Sequence, residues 1–148
     1  MYSDDVYRAR VRATIADLEE ALASLSTVAA LDIDLSGQGA RVMLTPHAIG
    51  ACPVELMLRA DQHYDIALGS AIYEDCPIER LEFFKPLILA IAEGRVVQRH
   101  HISAHTGVQS GFETIVSMPF GSEWRKGQGP GSMADVYARD QHYLPYRR

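Results

Sequence analysis

The chain reads as an α+β fold: an antiparallel sheet of about six strands with two helices packed on one face, followed by an extended C-terminal tail. Three observations predict this. Two segments carry apolar residues at helical spacing, and several shorter ones alternate with period two. No strand–helix–strand alternation of the kind that builds a parallel sheet runs between them. The expected element order is α-β-β-β-β-α-β-β, with residues 1–118 forming a single α+β domain and residues 119–148 a Gly/Pro/aromatic arm.

The first helix is expected over about Asp4 to Leu25. Val11, Ile15, Leu18, Leu22 and Leu25 recur at spacings of 4, 3, 4 and 3, which places them on one stripe. Ser3 suits the N-cap, and Asp4 and Asp5 complement the positive end of the helix dipole. Short alternating segments follow. Leu31, Ile33 and Leu35 alternate with Asp32 and Asp34, a turn runs over Ser36 to Gly39, and Arg41 to Thr45 returns as a hairpin. Residues 46–53 read as a loop. Val54, Leu56 and Leu58 form the next strand, then Tyr64, Ile66 and Leu68, with Gly69-Ser70 a bulge or break before Ala71 to Glu74. One-sided strands of this kind belong to antiparallel sheets with one covered face.

The second helix is expected over about Pro77 to Glu93, with Asp75 as cap and Gly94 in the C-terminal left-handed position. Pro86 inside it forces a kink or a restart near Lys85, because proline removes one backbone bond and clashes with the preceding turn. Leu81, Phe84, Leu87, Ile88 and Ile91 are the expected core residues. A last hairpin runs from Arg95 to about His105 and back over Gly111 to Met118.

Composition bounds function more than any motif does. The 148 residues carry a net charge of −5, and 47% are hydrophobic. That is an ordinary globular composition, large enough for one domain to bury a core without staples. The negative balance argues against nucleic acid as main partner, since phosphate neutralisation needs a basic face. No apolar run approaches the roughly 18 residues of a membrane span. The polar, acidic start lacks a secretory pattern, and the two cysteines, Cys52 and Cys76, form no C-x-x-C. A cytoplasmic location with reduced thiols is the expectation.

Histidine is the one chemistry-bearing residue type that clusters. On the expected strand Arg99, His101, Ser103 and His105 share a face, with Glu113 on the returning strand, while His100 faces the other way with Val96, Gln98 and Ile102. His101 and His105 lie about 13 Å apart along a strand, too far for one metal, so no metal and no cofactor is expected. Arg99, His101, His105 and Glu113 are the candidate ligand-binding residues, Arg99 holding an anion and a histidine exchanging protons. Gln98 and His100 are polar on a face that should be core, which marks a bulge or a lined cleft. Asp32 and Asp34 share a face, with Arg41 across the hairpin, and read as a solvated pair. His47 and Cys52 in one loop are a weak thiol–imidazole pairing.

The last thirty residues differ from the rest. They hold five Lys/Arg against three Asp/Glu, whereas the first 118 hold nine against sixteen, so a body of charge −7 carries a tail of +2. Trp124, Tyr137, Tyr143, Tyr146 and Arg147 are the expected interface residues, because aromatic and arginine anchors are common in interface cores. Acidic residues of the first helix and Glu74, Asp75, Glu79 and Glu82 are candidate seats for the tail's Arg125, Lys126, Arg147 and Arg148. The tail could wrap its own body or cross to a second subunit, and the crossing arm is the favoured expectation. The leading functional expectation is therefore a small cytoplasmic interaction or assembly domain, a homodimer without catalysis. Two alternatives stand beside it: a small enzyme or ligand-binding protein using the Arg99/His101/His105 hairpin, and an acidic immunity-type protein binding a basic partner.

Overall fold

Helix α1, Asp4–Leu22, buries the stripe Tyr7, Val11, Ile15, Leu18 and Leu22 and runs into one 3₁₀ turn, Ala23–Leu25. This computed structural model describes residues 2–35, 37, 39–131 and 135–147. Ser3 occupies the N-cap with extended backbone but makes no side-chain cap bond. Five strands then form a sequential antiparallel meander: β1 Ala29–Asp34, β2 Ala40–Pro46, β3 Val54–Leu58, β4 His63–Leu68 and β5 Ala71–Pro77. Their alternation is one-sided as expected. Val42, Leu44, Val54, Leu56, Leu58, Ile66 and Leu68 are buried, while Asp32, Asp34, Met57 and Ile72 lie on the open face. Of the expected first turn, Ser36 and Gln38 lie outside the described residues.

Two boundaries differ from the sequence reading. Gly69-Ser70 is a hairpin turn between two strands rather than a break within one, because Gly69 at φ +61° lets the chain reverse. The second helix starts late. Strand β5 extends through Pro77, a 3₁₀ turn covers Leu81–Phe83, and helix α2 occupies Phe84–Ala92. Pro86 thereby falls in the first turn of α2, where its missing N–H costs no bond. Asp75 caps nothing. Its carboxylate pairs with Arg59 and its backbone N–H donates to Asp65 Oδ1 at 2.9 Å. Leu81, Phe84, Leu87, Ile88 and Ile91 are all buried, and Gly94 sits at φ +79°.

The largest departure is the strand count. Among the described residues nine strands form two sheets instead of about six forming one. The second sheet contains β6 Val96–Ser103, β7 Gln109–Ser117, β8 Glu123–Gln128 and β9 Val136–His142, in the order β8-β7-β6-β9. Strands β8 and β9 come from the tail, which shows no strand period. The reason is that they are edge strands: β9 is exposed along nearly its whole length, and β8 buries only Trp124. A strand that covers nothing on either face needs no alternation. Both helices and the inward faces of both sheets meet in one core cluster, which includes Trp124 and Tyr146. Helix α2 lies against α1 and β7, and α1 lies against β2. Among the described residues no helix is long and apolar enough to cross a membrane.

The tail wraps its own chain. After β8 pairs with β7, the chain passes to the far edge and β9 pairs with β6, so the two tail strands bracket the hairpin that precedes them. Residues 143–147 then run back over the body. Tyr143 N donates to Val96 O at 3.2 Å, Leu144 N to Gly50 O at 2.9 Å and Tyr146 N to Ala92 O at 2.8 Å. This corrects the expected crossing arm, and the tail brings Trp124 and Tyr146 into the core, at 5% and 2% exposed. Glycines keep the track open. A Cβ on Gly94 would stand 2.6 Å from Pro145 N, and one on Gly69 would stand 2.3 Å from the Tyr143 hydroxyl.

Gly94→Ala therefore combines a left-handed backbone with a clash against main chain that cannot rotate away. The expected loss is about 2–4 kcal/mol, read as a lower denaturation midpoint. A loss under about 0.5 kcal/mol in urea titration would show that the tail does not lie on Gly94 in solution.

Candidate functional site

The second sheet has two faces, and the period-two rule sorts its side chains between them. One face carries Arg99 and His101 from β6 with Glu113 from β7; the register places Arg99 opposite Glu113 and His101 opposite Gly111. His101 Nε2 lies 2.6 Å from Glu113 Oε2, and both side chains are about nine-tenths buried. Arg125 Nε of β8 stands 3.5 Å from the other Glu113 oxygen and 3.4 Å from Glu123. The tail contributes to this burial. Gly111 has no side chain, and the carbonyl of Gly129 occupies that space, 2.3 Å from where a Cβ would stand. The tail thus forms a partial roof over the pair.

Arg99 is bound differently. Its Nε and Nη2 donate to the two carboxylate oxygens of Asp140 on β9 at 2.8 and 3.0 Å, a bidentate geometry that strengthens an ion pair. The bond to Asp140 pushes the Arg99 guanidinium up, and the same bond holds the Asp140 carboxyl below its usual range. His105 leaves this face altogether. It sits exposed in the β6–β7 turn with Nε2 2.9 Å from Asp135 Oδ2. The fold thus gathers Arg99, His101 and Glu113 on one face, satisfies each with a protein partner, and places His105 elsewhere. Among the described residues no group of three or more metal-ligating side chains could hold an ion.

The expected interface residues also find partners in their own chain, with one exception. Trp124 Nε1 donates to the Tyr64 hydroxyl at 3.0 Å and meets the Tyr73 ring edge-on at 5.9 Å. The Tyr143 hydroxyl donates to Gln98 Oε1 at 2.7 Å, the buried Tyr146 hydroxyl donates to Cys52 O, and Arg147 donates to Ser24 O. Tyr137 remains 48% exposed and has no partner among the described residues. Of the acidic seats expected for the tail, Asp75 is held by Arg59 and Glu82 by Arg10. Arg148 lies outside the described residues.

The opposite face of β6 carries the polar residues that break the expected core pattern. Gln98, 1% exposed, donates from Nε2 to Leu68 O at 2.9 Å and to Thr114 Oγ1 at 3.3 Å, and Thr114 Oγ1 in turn meets the Tyr73 hydroxyl at 2.7 Å. The register between β6 and β7 shifts between His101 and Ile102. Polar residues on an expected core face therefore marked both a bulge and a buried network. Beyond the bulge a cleft of about 450 Å³ opens, lined by His100, Ile102, Gln109, Arg139 and Gln141 among others. His100 carried a signal in this pattern. Arg139 had none, since nothing local reveals that β9 lies beside β6.

Asp34 does stand opposite Arg41, whose Nε donates to Glu55 Oε1 at 2.9 Å. Cys52 is fully buried, and its thiol donates to Pro53 O at 3.4 Å rather than to His47. Burial pushes the Cys52 thiol up to about 12, the wrong direction for a nucleophile. No known protein family, curated protein or solved structure matches this chain.

The Cys52 environment gives a pH test with a definite sign. The folded thiol stays neutral to about pH 12, whereas an unfolded one ionises near its ordinary value of 9.0. Its contribution is complete below pH 9 and is lost as pH rises from 9 towards 12. Cys52→Ala should flatten the fall of stability over that range by about one proton's slope. Equal slopes for the two proteins in urea titrations at several pH values would refute the buried, neutral thiol.

Proposed function

We propose that this chain is a small cytoplasmic interaction domain that assembles as a homodimer and carries no chemistry of its own. The observation that carries the reading is the bare outer edge of β9. This strand pairs with β6 on one side only, over seven residues in unbroken register. Among the described residues nothing pairs with its other edge, whose backbone donors and acceptors are a template for a further strand.

The other three edges are each blunted in a recognisable way. Strand β1 carries Asp32 and Asp34. Strand β5 has a register shift, a left-handed Asp75 and a terminal proline. Strand β8 carries Glu123, Arg125 and Lys126, with Gly127 at φ +113°. Strand β9 has no proline and no shift, the charge of Asp140 is neutralised by Arg99, and its other charge, Arg139, lines the cleft beside His100. A second copy of β9 laid antiparallel would join two four-stranded sheets about a two-fold axis, the commonest closed symmetry. Tyr137, half-exposed and without a side-chain partner among the described residues, would flank that seam. The Arg99, His101 and Glu113 groups favour this reading over catalysis on their face, because each is already paired with an oppositely charged or hydrogen-bonding neighbour of its own chain. The two free, buried cysteines fit a reducing compartment.

Sedimentation equilibrium tests the assembly. The wild-type chain should show twice the 16.4 kDa protomer mass. Tyr137→Lys should return a protomer with unchanged circular dichroism, since edge lysines oppose strand addition. A monomeric wild type at about 100 μM, or a dimer indifferent to the lysine, would overturn the proposal.

A further inference from the structure

We infer that the cleft between β9 and the end of the β6–β7 hairpin binds a small organic carboxylate. The inference goes beyond assembly and does not rest on it. Cross-strand register puts His100 directly opposite Arg139, so their side chains stand side by side on the same face. Gln141 follows two residues along β9 on that face, and Ile102 does so on β6. These four side chains and Gln109 line a cleft of about 450 Å³, within the size range of small-molecule sites.

Two of the donors there are unused. Among the described residues Arg139 forms no ion pair or hydrogen bond, and neither does the Gln141 amide. Arg99, Arg41, Arg59, Arg95 and Arg125 all hold carboxylates of their own chain, whereas Arg139 brings its guanidinium unpaired into a concavity beside His100 and Gln141. His100 is held in place rather than idle. Its Nδ1 lies 2.8 Å from Gln109 Oε1, and its ring packs 4.8 Å from that of Phe112. An amide oxygen only accepts, so Nδ1 carries the proton and Nε2 is left unengaged. The arrangement therefore offers a planar cationic fork, an amide donor and a fixed imidazole around an apolar floor.

Charge selects the ligand class. Asp140 also borders the cleft, but its carboxylate is committed to Arg99 on the opposite face of the sheet, which leaves Arg139 as the uncompensated charge. A carboxylate brings one negative charge and matches the guanidinium fork in shape. A phosphate brings nearly two and would leave one unmatched in a protein that is already acidic. The distant acidic residues are screened beyond about 8 Å at physiological salt, so they do not cancel Arg139 locally.

Benzoate and inorganic phosphate are the probes, titrated separately into the full chain and followed by the backbone amide signals of His100, Ile102 and Gln141. Benzoate should shift those signals saturably in the millimolar range, and phosphate should bind more weakly. Arg139→Gln should weaken benzoate at least about tenfold, the scale of one charge-assisted hydrogen bond. Arg12→Gln, on the exposed face of α1, should leave it unchanged. The inference fails if benzoate produces no saturable shift below about 50 mM, or if Arg139→Gln binds as the wild type does. It fails equally if phosphate binds the same residues more tightly than benzoate.

Discussion

A buried carboxamide has two N–H donors and an oxygen with two lone pairs, and leaving them unmet in a protein core costs about 1–3 kcal/mol for each group. Gln98 is such a group, at 1% exposure in an inner strand of the second sheet. Its partners come from three parts of the chain. Leu68 O belongs to the end of the first sheet, Thr114 to the neighbouring strand, and the Tyr143 hydroxyl to the tail. The requirement to satisfy one amide therefore fixes the second sheet against the first and the tail against both. Thr114 extends the network to Tyr73, so the two sheets are joined by a polar chain as well as by the apolar core.

The rest of the tail's course follows from that junction. With Tyr143 held at Gln98, residues 144–146 lie over Gly50 and Gly94, and Tyr146 reaches the core at Cys52. Strand β9 precedes this anchor and is brought to the open edge of β6, where Asp140 meets Arg99. Strand β8, on the other edge, is set by Trp124 against Tyr64. The charged residues of the hairpin are thus spent on assembling the protein's own sheet. Among the described residues, β9 keeps its outer edge, Tyr137 and Arg139 without partners.

The local features were legible from the residues. The stripe from Val11 to Leu22 is a helix, the alternation from Leu31 to Leu68 is a one-sided meander, and Gly94 terminates α2 in the left-handed conformation. The conflict at Gln98 and His100 was legible as a conflict, because polar side chains stood among Val96 and Ile102. Its resolution was not, since Gln98 bonds to residues 30 and 45 positions away. Strands β8 and β9 were invisible for a related reason. Edge strands on solvent carry no burial pattern, and their pairing is decided by the anchors Trp124 and Tyr143 rather than by their own residues. The aromatic tail was correctly marked as unusual, and its aromatics serve mainly as internal anchors.

A double-mutant cycle on the folded chain tests the central junction most directly. The variants are Gln98→Leu, Tyr143→Phe and the pair, compared by urea denaturation. If Gln98 ties the tail to the body, removing one partner strands the other in the core. The double variant should then lose about 1–2 kcal/mol less than the two single losses combined. Additivity within about 0.3 kcal/mol would mean that the two groups do not interact, and the account of how the tail is held would be wrong.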